Sequence, residues 1–338
     1  MKKNDLITIF LVFFMFVIII GIPALAVKGC GPIEKKEFID SREKGNEKAS
    51  REVKINVFIN SKSRIEQLPL EEYVKGVVAA EMPANFNIEA LKAQAVAART
   101  YAVKRMINFG GSGCALHPGA DVCDDPTHCQ AYISKTEMIK KWGIFAFYHF
   151  YSKINQATLA TKGLVILYDG KPIDPLFHST SGGRTENSED VWGKYIPYLR
   201  SVSSPGEEDS PKFLSVKSIP VSEMVVKFRE KWPNIVIDTK NPEKQMEVLE
   251  RSSGGRIKRI KIGNVEAKGT EIRELFELNS TNFTWVREKD EIRFTTIGYG
   301  HGVGMSQYGA NYMAKRGYNF IDILKHYYTG VVIQKFYE

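Results

Sequence analysis

The sequence predicts an α+β protein of two lobes flanking a groove, set behind an N-terminal transmembrane helix. Three observations carry that expectation. Residues 6–27 are almost wholly apolar, close to the roughly 20 residues that cross a bilayer as a helix. Beyond them, alternating stretches such as VKINVFIN read as strands, and apolar residues at Leu70, Val74, Val77 and Val78 keep helical spacing. A stretch of Ser, Pro, Gly and acidic residues at 203–211 then separates off a further set of strands and helices.

The chain has 338 residues, enough for one large domain or two modest ones. With 43% hydrophobic and 25% charged residues it reads as globular. Lys2 and Lys3 precede the apolar run, which leaves residues 1–5 as a cytoplasmic tip and everything after the 6–27 anchor outside. Ala24-Leu25-Ala26 would suit signal cleavage, but the apolar run is long for a signal peptide, and an uncleaved single-pass anchor is expected. Residues 28–52 are a charged linker without apolar periodicity. The body is then residues 53–338, with an inserted lobe at 202–284. A net charge of +8 is mild for this length, and no arginine run interleaves with aromatics. Nucleic acid is therefore not an expected partner; outside the membrane, cell wall or lipid headgroups are.

The helical run that begins at Leu70 ends in VVAAEMP. Its apolar stripe, continued by one turn, lands on Glu81. Pro83 pushes Met82 out of the α region, so the helix should stop at about Glu81. Apolar surroundings and the negative end of the helix dipole both disfavour a carboxylate there. A glutamate raised towards neutrality is what a general acid needs. The competing reading is a structural glutamate paired with a cation such as Arg99. A second, alanine-rich helix follows, capped by Asn85 or Asn87. Gln94 and Arg99 are its polar residues expected to face Glu81.

Residues 108–130 form a loop rich in Gly, Cys, His and Asp. Its His117, Cys123, His128 and Cys129 match the ligand set of a closed structural zinc site. A disulfide is the alternative in an oxidising compartment, although Cys114, Cys123 and Cys129 make an odd set. Residues 135–162 read as a helix with Gly163 as its stop. LVILY, Asp169-Gly170 and KPIDPLF then read as a tight hairpin.

That hairpin delivers the chain to HSTSGGRTE, which supplies His178, Ser179, Ser181, Gly182, Arg184 and Glu186. Small residues let backbone approach a ligand closely, and no G-x-S-x-G elbow marks a serine hydrolase. Later comes GHGVGMSQYGA. Its spacing is neither a Walker A loop nor a dinucleotide fingerprint. It offers His301, Gln307 and Tyr308, with Ser306 set to cap a helix. Hydrogen-bonding groups beside a flat aromatic suit a sugar ring. A helix capped by Asn319 and a final strand close the chain.

Taken in order, VVAAEMPANFNIEALKAQAVAARTYA, the Cys/His loop, FHSTSGGRTENSEDVWG and GHGVGMSQYGA resemble the stage II sporulation protein D family. That family consists of lytic transglycosylases that cut peptidoglycan glycan strands during engulfment of the forespore. The resemblance implies that Glu81 is the catalytic glutamate and that the helix bearing Gln94 and Arg99 lines the groove with the two glycine-rich loops. It also implies a zinc on the Cys/His loop, as in clostridial members. Partners would be stage II sporulation protein P, an amidase, and protein M, a membrane scaffold, at the mother-cell membrane facing the forespore. A lytic transglycosylase needs one carboxyl, because the substrate acetamide replaces the second. The rivals are a glycan-binding amidase enhancer and, less compatible with two thiolates, a zinc amidase.

Overall fold

The computed structural model describes residues 52–337, so the 1–5 tip, the 6–27 apolar segment and nearly all of the 28–52 linker lie outside the described residues. Among the described residues, no helix is long and apolar enough to cross a membrane. The architecture is mixed α+β, with several small sheets around helices.

The strand Lys54–Ile59 buries Ile55, Val57 and Ile59 on one face, as its alternation requires. It pairs antiparallel with Arg64–Pro69 and parallel with Val122–Cys123, placing Phe58 opposite Cys123. The Cys/His loop is thereby tied to the first sheet. Helix α1, Leu70–Glu81, follows directly, and Met82 leaves it in an extended conformation (φ −116°, ψ 139°) ahead of Pro83. Helix α2, Ile88–Arg105, is capped by Asn87, whose side chain accepts from the Glu89 N–H at 3.0 Å.

Alanines 90, 93, 95, 97, 98 and 102 are all buried, so α2 is apolar nearly all round. Such a helix belongs at the centre. It packs on α1, on the helices Gln307–Lys315 and Phe320–Tyr327, and on α3, Lys135–Ala160. Ser134 and Glu137 close a capping box at the start of α3, and Gly143 (φ 74°) kinks it.

Asp169 and Gly170 both take positive φ, the primed geometry that suits a two-residue hairpin between Leu164–Tyr168 and Lys171–Pro172. The last strand, Val332–Lys335, pairs with the other edge of Leu164–Tyr168. One short pairing matters most for the site: Phe177–His178 runs parallel to Met305–Ser306. It holds the two glycine-rich loops side by side, and bridges at Thr180–Tyr299 and Glu186–Val303 extend the junction.

A second hydrophobic cluster gathers Ile219, Met224, Phe228, Ile260, Phe276, Phe283, Ile292 and Phe294. It lies under two three-stranded sheets and the helices Val221–Lys231 and Gly269–Leu275. The cluster runs past residue 284 because Glu291–Ile297 pairs with Leu214–Pro220 along its whole length. The hairpin of Phe283–Glu288 and Glu291–Ile297 therefore packs with the residues before it.

Candidate active site

Glu81 sits on the last turn of α1, on the wall of a cleft of about 650 Å³. Its Oε1 accepts the Ala131 N–H at 2.8 Å. Among the described residues no cation comes within ion-pair distance of it. Lys141, whose charge acts on it, instead donates to the Ala79 and Ala80 carbonyls at 2.9 and 3.4 Å. Burial pushes the Glu81 carboxyl above its ordinary value, and the Ala131 N–H and the Lys141 charge only partly oppose this. Of the residues lining the cleft, Glu81 alone is a carboxylic acid.

The other walls come from both glycine-rich loops. His178, Ser179, His301, Gln307 and Tyr308 all line the cleft with Glu81. The Nδ1 of His178 donates to the Val303 carbonyl at 3.1 Å, while Nδ1 of His301 accepts the Val303 N–H at 3.1 Å. An accepting Nδ1 leaves the His301 ring neutral. Burial holds His178 well below the ordinary imidazole value, and burial with the Arg256 and Arg273 charges pushes His301 down to about 4. Trp192 tilts against His301 with ring centroids 5.3 Å apart, and Phe86 meets Tyr308 edge-on at 4.9 Å. Ser306 caps its helix as expected, accepting the Gly309 N–H at 3.2 Å.

Several expected site residues face elsewhere. Arg99 is wholly buried and does not look towards Glu81. Its Nε and Nη2 bind the two carboxylate oxygens of Glu71 at 3.0 and 2.6 Å, and its remaining donors reach the Leu164 and Thr158 carbonyls. The reason is position along the helix: Arg99 lies beside the start of α1, where Glu71 is, not beside its end. Gln94 is buried behind the wall, accepting from Gln307 Nε2 at 3.4 Å.

The Ser181 hydroxyl and the Gly182 N–H are turned to Glu207, at 2.8 and 2.7 Å. Arg184 is on the surface, bound to the Ser201 hydroxyl at 3.0 Å. Glu186 is buried and accepts from Ser252 at 2.9 Å, with burial raising its carboxyl. It lines a separate small cavity with Arg256 and Asp190.

Four residues of this region carry no signal in the reading of the sequence. Gln130, Trp192 and Arg273 line the cleft. Glu207, fully buried, takes hydrogen bonds from Ser181, Gly182, Gly183 and Ser204 and so shapes the first glycine-rich loop. Its setting, SPGEEDSP, reads as an acidic linker.

The Cys/His loop also needs a correction. The cluster consists of Cys114, Cys123, His128 and Cys129, whose ligand atoms all lie within 4.8 Å of one another. His117 is not a member. Its ring stacks flat on Phe58, centroids 3.6 Å apart, and Cys114 takes the fourth position. The cysteines are free thiols. His128 Nδ1 lies 3.5, 3.4 and 3.4 Å from the three sulfurs. A tetrahedral zinc with ordinary Zn–S and Zn–N bonds has S···N edges of about 3.6 Å, so the donors fit that ion. Cys129 belongs both to the cluster and to the cleft wall.

A family model described as stage II sporulation protein matches residues 59–168, which hold Glu81 and the whole Cys/His cluster. The chain is 41% identical over 323 residues to stage II sporulation protein D of Bacillus amyloliquefaciens, covering 94% of this chain and 91% of that protein. It belongs to the stage II sporulation protein D family. The Bacillus subtilis member is 42% identical over 283 residues, covering 84% of this chain and 79% of that protein. An amidase enhancer of Bacillus subtilis is 30% identical over 315 residues, which span 78% of this chain and 40% of the enhancer. A second model, described as a domain of unknown function, matches residues 221–304 and so falls on the second hydrophobic cluster.

Proposed function

We propose that this sporulation-family protein is a peptidoglycan lytic transglycosylase with Glu81 as its acid and then its base. One observation carries the reading: among the described residues Glu81 is the single carboxyl on the cleft, and burial raises its pKa. In the first step the Glu81 proton passes to the glycosidic oxygen between MurNAc and GlcNAc as the C1–O bond breaks. The substrate acetamide oxygen bonds to C1 in its place. In the second step the MurNAc 6-hydroxyl attacks C1, the acetamide oxygen leaves, and the hydroxyl proton returns to Glu81. The products are a 1,6-anhydro end and a free 4-hydroxyl, and no water is consumed.

The neutral histidines and the carboxamides suit this task, since they bind sugar hydroxyls without competing for the Glu81 proton. A zinc held by Cys114, Cys123, His128 and Cys129 would have four protein ligands and no open position. Its part would be to fix the loop, not to activate water. We place the chain at the mother-cell membrane facing the forespore, anchored by residues 6–27, working beside the amidase P and the scaffold M.

Mass spectrometry of purified glycan strands incubated with the chain tests the reading. Release of 1,6-anhydro ends is expected, and their absence would sink it. The similarity to an amidase enhancer supports a second reading, glycan binding without cleavage. Under that reading strands bind but stay intact.

A further inference from the structure

Next to the catalytic carboxyl stands a side chain that the protein itself leaves unsatisfied. Gln130 is only 3% exposed, yet among the described residues neither its Oε1 nor its Nε2 has a hydrogen-bond partner. Each orphaned polar atom is destabilising, and native proteins keep few of them. Gln130 lines the cleft and sits between two fixed points: Cys129, in the thiol cluster, and Ala131, whose N–H holds Glu81. Two further orphans lie in the same wall region, Nε2 of His178 and Nε2 of Gln94. Three of the nine orphaned side-chain atoms among the described residues thus belong to residues lining this cleft, where a ligand is a natural source of partners.

We propose that Gln130 reads the acetamido group of the sugar whose glycosidic bond Glu81 protonates. Its Oε1 accepts the acetamide N–H, and its Nε2 donates to a neighbouring sugar oxygen. This rests on the transglycosylase reading and adds to it the group that orients the nucleophile. An acetamide N–H is fixed in the amide plane and needs an acceptor in a fixed place. Accepting it turns the acetamide carbonyl towards C1 and draws electron density to that oxygen. A neutral carboxamide does so without sharing the Glu81 proton, which a second carboxylate on the cleft would do. The metal loop thus holds both the acid and the reader of the substrate's internal nucleophile.

The test uses the full chain, its Gln130→Met variant, and peptide-free glycan strands with and without their N-acetyl groups. Comparing both proteins on both strands cancels the charge that deacetylation introduces. Gln130→Met should weaken binding of acetylated strands by about tenfold, the worth of one buried hydrogen bond, and slow their cleavage further. On deacetylated strands the loss should be smaller, since only the bond donated by Nε2 is left to lose. The melting temperature should hold or rise, because methionine removes two orphaned atoms. Gln130→Glu keeps an acceptor in the same shape and should retain the binding preference for acetylated strands while cutting them more slowly, because the second carboxyl shares the Glu81 proton; losing the binding preference would overturn the role of Oε1. An equal loss on both strand types, or a lowered melting temperature with the preference intact, would make Gln130 a structural residue. If the parent chain releases no anhydro ends but binds acetylated strands through Gln130, the cleavage reading fails and the acetamide reading stands. If parent and Gln130→Met cut acetylated strands alike, the acetamide reading fails alone.

Discussion

The Ala131 N–H donates to Oε1 of Glu81 over 2.8 Å, across 50 residues of sequence. Ala131 is two residues past Cys129, so the Glu81 carboxyl is held by the same loop that gathers three cysteines and a histidine. A disturbance of that cluster should be felt at Glu81.

Glu81→Gln should keep the fold and glycan binding and lose cleavage. Glutamine can still accept from Ala131 but has no acidic proton. Loss of a positioned acid–base group typically lowers the rate about 10²–10⁴-fold. Counting 1,6-anhydro ends released by parent and variant at equal concentration measures it; near-parental release would reassign the site to glycan binding.

The same carboxyl predicts two pH effects. Its folded-state pKa lies above the ordinary 4.5, with burial as the main cause. Below 4.5 it is protonated whether folded or unfolded. As pH rises from there through the raised value, the unfolded chain ionises first, and the stability held by the neutral folded form is lost. Activity should fall over the upper part of that range, where the acid disappears. Melting curves against pH should show Glu81→Gln gaining on the parent as pH rises; parallel curves would mean the carboxyl is not strained by burial.

Metal analysis separates the two candidate fourth ligands. Purified chain should hold about one zinc equivalent. Cys114→Ser should lose metal and melt at lower temperature, because metal binding and folding of such sites are coupled. His117→Ala should keep the metal, since that ring stacks on Phe58. The opposite pattern would restore His117 to the cluster. A chelator should lower cleavage only as fast as it lowers the melting temperature, as a closed structural site requires.

Arg99 should matter for stability and not for substrate. Removing one member of a buried, hydrogen-bonded ion pair costs about 3–5 kcal/mol, because the other charge is stranded. Arg99→Ala leaves Glu71 in that position. Denaturant unfolding should show the loss, while the KM of the remaining folded enzyme stays at the parental value. A raised KM with unchanged stability would return Arg99 to the groove.

Local spacing and proline chemistry were enough to determine that a helix ends at Glu81 and that Ser306 and Asn319 cap helices, and they narrowed the cap of α2 to Asn85 or Asn87, of which the structure has Asn87. They were also enough for the hairpin at Asp169-Gly170, since these features are set within a few residues of chain. The direction of a side chain on a helix buried all round was not legible in this way. Every face of α2 is apolar, so only its neighbours decided that Arg99 meets Glu71 and that Gln94 backs Gln307. The same holds for Glu207, a carboxylate in an acidic linker until Ser181, Gly182 and Ser204 close round it. Which of Cys114 and His117 joins the cluster was likewise a tertiary choice, made by the flat face of Phe58 on the neighbouring strand. Residue type and spacing determine what a segment can form; which groups meet depends on contacts between segments far apart in the chain, and those exist only once it is folded.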